Sequence, residues 1–108
     1  MYKVVLVFNL TSGSANEELR RSAQDHSFPN LLARQPGFVA LELVKISEDK
    51  TMSAQTWETE RHWWSALENV KQLSENGPVD QARENILVSR DFLGGTVVSH
   101  LSATPSVE

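Results

Sequence analysis

The sequence predicts an α+β fold, a four-stranded antiparallel sheet with its helices on one face. Three observations carry this. Segments of strand and helix character follow one another as strand, helix, strand, strand, helix with an extension, strand, and helices segregated in this way pack on one side of an antiparallel sheet. The first two strands are apolar on both alternations, as in a sheet covered on both faces. The tryptophans Trp57, Trp63 and Trp64 cluster at one strand-to-helix junction, where their area anchors a core or walls a pocket.

The first strand is Tyr2 to Leu10, with Tyr2, Val4, Leu6, Phe8 and Leu10 on one face and Val5 and Val7 on the other. Thr11 to Ser14 turns the chain, and Ser14 with Glu17 forms a capping-box pattern that opens a helix. At 100° per residue its inner face holds Ala15, Leu19, Ser22, Ala23 and His26, so only one large apolar residue fills it. Pro29 breaks or kinks that helix at Phe28, and Asn30 to Arg34 makes a further turn.

Gln35-Pro36-Gly37 is turn chemistry before a second strand, Phe38 to Ile46. Ser47 to Lys50 reads as a hairpin loop. The third strand, Thr51 to Trp57, sets Ser53, Gln55 and Trp57 on one face and Met52, Ala54 and Thr56 on the other. Thr59 caps the second helix, whose stripe is Trp63, Ala66, Leu67, Val70 and Leu73, with His62 and Trp64 at its borders. After Gly77-Pro78 a third helix is expected over Val79 to Leu93, stopped by Gly94-Gly95. Its stripe includes Arg83 and Arg90, and Ile86 to Val88 is the alternative start of a strand. Thr96 to Ser102 is the expected last strand. The whole reads as one ferredoxin-like domain over residues 1–102 with a flexible tail at 103–108.

Two or three helices cover only one face of such a sheet, so the doubly apolar strands imply a second copy, a homodimer packed sheet to sheet. With 108 residues, 40% of them hydrophobic, the chain makes one domain with a modest core. The net charge is −4 and the ten Lys and Arg are dispersed, which argues against nucleic acid. There is no cysteine, which excludes disulfides, thiolate nucleophiles and sulfur-ligated metals. The start, MYKVVLVFNL, lacks the features of a signal peptide, and no run reaches membrane-spanning length, so no membrane association and a cytoplasmic location are expected.

Pro36-Gly37-Phe38 opening the second strand, Gln55-Thr56-Trp57-Glu58-Thr59 ending the third, Trp63 six residues on, and a last strand after a glycine-containing loop together resemble the antibiotic-biosynthesis-monooxygenase-like family. The likeness spans roughly residues 2 to 102. It implies a dimeric α+β barrel with a ligand pocket between helices and sheet in each protomer. In the polyketide-oxidising members oxygen is added to an anthrone-like aromatic substrate without metal or flavin, and the residues matching Trp57 and Trp63 belong to that pocket. Where those oxygenases carry an asparagine four residues before the tryptophan, this chain has Ser53, and Arg83 is the candidate for their downstream arginine. Haem-degrading relatives use a strand asparagine, a helix tryptophan and an axial histidine. Here Asn9 is displaced, Ala66 holds the tryptophan position and no histidine lies between His62 and His100.

Among ionisable residues, His26 is the candidate general base, because the small Ser22 and Ala23 beside it leave space between helix and sheet. Phe28, Trp57 and Trp63 are the expected pocket walls and Ser53 and Gln55 its polar contacts. Arg83 and Arg90 are the expected anion anchors, with snorkelling to solvent as the alternative. His100 is expected at the dimer interface. Three histidines on separate elements make no metal site, and no glycine-rich phosphate loop is present, so neither metal nor cofactor is expected. The expected function is binding of a hydrophobic or aromatic small molecule, with cofactor-independent monooxygenation as the activity. The alternative is a non-catalytic carrier for an apolar carboxylate such as a fatty acid.

Overall fold

The computed structural model describes residues 1–74 and 85–103. Among these residues seven elements form in the order β1 (Tyr2–Leu10), α1 (Ala15–Ser22), α2 (Phe28–Leu32), β2 (Phe38–Ser47), β3 (Lys50–Trp57), α3 (Glu60–Ser74) and β4 (Leu87–Thr96). The strands make one four-stranded sheet in the order β2-β3-β1-β4, antiparallel at every junction. This is the ferredoxin-like arrangement.

Because side chains alternate along a strand, the register sorts the sheet into two faces. Tyr2 lies opposite Trp57, Val4 opposite Gln55 and Leu6 opposite Ser53, and Leu6 also lies opposite Phe92 of β4. These residues face the helices. Trp57 and Val4 have no exposed surface and Trp63 keeps 1%. Trp57 meets Phe38 edge-on at 5.4 Å and Trp63 at 5.9 Å, and each such pair adds about 0.5–1.5 kcal/mol beyond simple area burial. Val5, Val7, Val44, Met52, Ala54 and Leu93 share the opposite face, and none of them is fully buried.

Several local expectations are corrected. The first helix ends at Ser22, and a turn carries the chain through His26 to Ser27. Ser27 explains the break. Its hydroxyl donates to the Ser22 carbonyl at 2.7 Å and accepts from the Asn30 N–H at 3.3 Å, which caps α2, so Pro29 lies in the first turn of a new helix rather than kinking an old one. Ser14 occupies the N-cap position of α1 but makes no side-chain cap; its hydroxyl is engaged by Thr11 at 2.6 Å. Thr59 does cap α3, accepting from the His62 N–H at 3.2 Å.

In the C-terminal part the alternative of a strand beginning at Ile86 to Val88 holds, and the helical reading is the one corrected. Residues 79–84 of the expected third helix lie outside the described residues. Residues 85 and 86 form a turn and Leu87–Thr96 is strand β4, paired along the whole of β1. Gly94-Gly95 therefore does not stop a helix. A Cβ on Gly94 would collide with the Tyr2 hydroxyl, so this glycine admits a neighbouring tyrosine. The expected last strand is displaced as well. Among the described residues beyond Thr96, only the Val97 N–H continues the pairing, to the Met1 carbonyl at 2.8 Å. His100 lies in this outer segment, exposed, with its Nε2 2.9 Å from the Ser102 hydroxyl. The expected tail at 103–108 lies outside the described residues except for Ala103.

Candidate functional site

The thin inner face of α1 has a direct consequence. Ala15 packs fully, but Ser22 beyond it is too short to reach the sheet, and a cavity of about 440 Å³ remains between helices and sheet. Its volume is in the range of small-molecule sites. Leu6, Phe8, Ser53 and Gln55 form the floor, Glu18, Leu19 and Ser22 of α1 one wall, and Phe28, Pro29 and Leu32 of α2 the next. Trp63, Trp64, Leu67 and Lys71 of α3 face them, and Phe92 and Arg90 close the β4 side.

The aromatic side of the cavity is a stacked group. Trp63 and Phe92 lie nearly parallel at 6.0 Å, with Trp64 5.8 Å from Phe92. Trp63 is buried, whereas Trp64 and Phe92 keep 48% and 42% of their surface exposed, so these two form the lip. Glu60 holds the lip in place by accepting from the Trp64 indole at 3.1 Å. The same carboxylate accepts from the Tyr2 hydroxyl, whose pKa is raised above 10.0, first by burial and then by the charge of Glu60.

The floor is polar in an ordered way. Alternation places Ser53, Gln55 and Trp57 on one face of β3, and all three are buried. The Trp57 indole donates to Gln55 Oε1 at 3.0 Å, and Gln55 Nε2 donates to the Ser53 hydroxyl at 3.0 Å. The buried indole N–H of Trp63 has no partner among the described residues.

Of the residues expected in a site, Phe28, Ser53, Gln55, Trp63 and Arg90 line the cavity. Trp57 lies behind the floor and reaches it through Gln55. His26 is the correction. It is exposed in the turn between α1 and α2 and does not line the cavity, because the helix that would have turned it inward ends four residues earlier. Arg83 lies outside the described residues. Arg90 reaches the cavity from a strand rather than a helix.

Sequence reasoning missed Glu18, Lys71 and Phe92. Glu18, only 3% exposed, follows Ala15 by three residues and precedes Ser22 by four, so helical spacing alone places it on the inner face. Its charge concealed that. Phe92 was concealed by the helical reading of its segment. Among the described residues no group of three His, Asp or Glu side chains is arranged to hold a metal, and no helix is long and apolar enough to cross a membrane.

No protein-family model matches the sequence, and no curated protein matches it. Solved structures do. SnoaB, a cofactor-independent oxygenase from Streptomyces nogalater, in a mutant form, is 21% identical with a TM-score of 0.70 over 94% of this chain and 97% of its own. A mutant of MhuD solved with two manganese protoporphyrin IX molecules per active site is 16% identical with a TM-score of 0.76, over 95% of this chain and all (100%) of its own. A dimeric ferredoxin-like protein from an uncultured marine organism is 15% identical with a TM-score of 0.72, over 95% and 92% of the two chains. The chain has the fold of antibiotic-biosynthesis-monooxygenase-like proteins, as the resemblance around Pro36-Gly37-Phe38 and Trp57 implies.

Proposed function

We propose that this chain belongs with the antibiotic-biosynthesis-monooxygenase-like proteins in activity as well as fold. It would bind a hydrophobic or aromatic small molecule in the helix-sheet cavity and oxidise it without a cofactor. The observation that carries this reading is the composition of the cavity: aromatic and aliphatic walls around a short, ordered set of polar groups at Ser53 and Gln55. Such a site orients a flat apolar body by a few hydrogen bonds.

The chemistry of the class is a proton transfer followed by addition of oxygen. An activated C–H of the substrate loses its proton to a base, the carbanion adds O2 to give a hydroperoxide, and loss of water leaves a carbonyl. One oxygen atom ends in the product and the other in water. Since His26 lies outside the cavity, the carboxylate of Glu18 in the α1 wall is the group placed to accept the proton. Apolar surroundings favour the reaction by excluding bulk water from the carbanion.

The protein works as a homodimer in this reading, with the apolar face of Val5, Val7, Met52 and Ala54 packed against its copy. The dimeric ferredoxin-like neighbour supports that assembly. A second reading, a carrier for an apolar carboxylate, is favoured by Arg90 and Lys71 at the cavity wall.

Oxygen uptake with anthrones and quinols, together with native mass spectrometry, decides between them. Uptake that is lost in Glu18→Gln while the dimer persists supports the oxygenase. A fatty acid retained by the purified protein, without uptake on any substrate of the panel, supports the carrier.

A further inference from the structure

We infer that the cavity selects ligands bearing an acceptor oxygen over their hydrocarbon equivalents, and that Trp57 sets this preference from behind the floor. This rests on the reading of the cavity as a ligand site and names the chemistry it recognises. The reasoning follows the direction of the hydrogen bonds. An indole N–H can only donate, so the bond from Trp57 Nε1 fixes which end of the Gln55 amide faces it, namely Oε1 at 3.0 Å. The amide nitrogen must then face Ser53, and it does, at 3.0 Å. The Ser53 hydroxyl is thereby held as an acceptor on one side, which leaves its proton to be donated elsewhere. No other hydrogen bond of that side chain forms among the described residues.

A hydroxyl that accepts one bond is polarised into a better donor of the next. Ser53 and Gln55 are 3% and 1% exposed and both line the cavity. Trp63, 1% exposed, lines the cavity with its ring, while its indole N–H is buried away from that surface. The charged groups Glu18, Lys71 and Arg90 belong to α1, α3 and the edge strand, so the neutral donor of Ser53 sits on the floor, apart from them. A carbonyl or phenolate oxygen fits there. A hydrocarbon of the same shape leaves that buried donor unpaired, and an unpaired donor is costly. Trp57 touches no ligand in this scheme and is a positioning residue.

Equilibrium dialysis with 9-fluorenone and fluorene, which share a tricyclic skeleton and differ in the carbonyl, tests this. Wild-type protein is expected to bind fluorenone about five to ten times more tightly, the worth of one net hydrogen bond. In Ser53→Ala the ratio falls towards one while fluorene affinity holds within about twofold, since no apolar contact is lost. Trp57→Phe frees the amide and lowers the ratio as well; where the smaller ring costs too much stability, Gln55→Met cuts the same relay. A general loss of packing would weaken both ligands alike and leave their ratio in place. Equal binding of the two ligands by wild type, or a ratio that survives Ser53→Ala, overturns the inference alone. Binding of neither removes the ligand-site reading and the inference with it.

Discussion

The hydroxyl of Tyr2 occupies the space in which a side chain on Gly94 would have to lie. Tyr2 begins β1 and Gly94 is near the end of β4, so a close approach between strands far apart in sequence depends on the absence of one methyl group. Phe92 adds to the constraint, with its ring tip 3.0 Å from the same point. Gly94→Ala is therefore expected to destabilise the fold by about 1–3 kcal/mol, the usual cost of overpacking. Tyr2→Phe in the same chain should recover part of the loss. Urea unfolding of the two single variants and the double variant measures this, and additive costs would remove the steric account.

β4 owes its strand conformation to a partner remote in sequence. Val79, Ala82, Ile86 and Leu93 match a helical stripe, and two glycines after them match a helix stop. What makes Leu87–Thr96 a strand is its pairing with β1, in which Ser89 and Asp91 meet Asn9 across 80 and 82 positions of sequence. No local window contains that information. The floor of the site lay at the other extreme, since Ser53, Gln55 and Trp57 share a face by strand alternation alone. His26 lies outside the cavity for a third reason: Ser27 caps a new helix, and one serine hydroxyl decides whether the preceding helix runs on or ends.

Gly37 combines two constraints and should tolerate substitution even less well. Its φ is +83°, a region L side chains rarely adopt, and a Cβ there would overlap the His62 ring. Gly37→Ala is expected to cost about 1–2 kcal/mol from the backbone alone, with the collision in addition. His62→Ala in the same chain relieves only the second part. Thermal unfolding of both variants should show partial rescue; complete rescue would mean that the backbone conformation costs nothing.

The buried Tyr2 hydroxyl gives stability a dependence on alkaline pH. Burial and the Glu60 carboxylate raise its pKa above the ordinary 10.0, so the folded state holds the phenol proton more tightly than the unfolded chain does. The resulting stability is fully present below the unfolded pKa and is lost as pH rises through the folded one. Unfolding free energy should therefore fall above about pH 10, and fall less steeply in Tyr2→Phe. Parallel slopes for the two proteins would show that other groups carry the alkaline transition.

Ligand binding should separate the two residues that close the α1–α2 turn. His26 is exposed and away from the cavity, whereas Phe28, two residues on, lines it. His26→Ala is expected to leave fluorenone affinity within about twofold of wild type, as for a surface change. Phe28→Ala removes a wall and should weaken binding by about tenfold or more, given about 1.5–3 kcal/mol for a fully buried aromatic contact. The reverse order would return His26 to the site.

Assembly depends on the face that the helices do not cover. Val5 lies at its middle, opposite Ala54 on one side and Leu93 on the other, and its side chain points away from the core that holds the protomer together. A two-fold interface brings each residue near its own symmetry mate or that of a neighbour, so one substitution acts twice. Val5→Glu places two carboxylates in an apolar interface, where neither finds a partner and each loses its hydration. The expected outcome is a protein of monomer mass by light scattering with an unchanged far-ultraviolet circular dichroism spectrum. A dimer of undiminished affinity would place the contact elsewhere on the molecule, and the apolar open face would then need a different occupant.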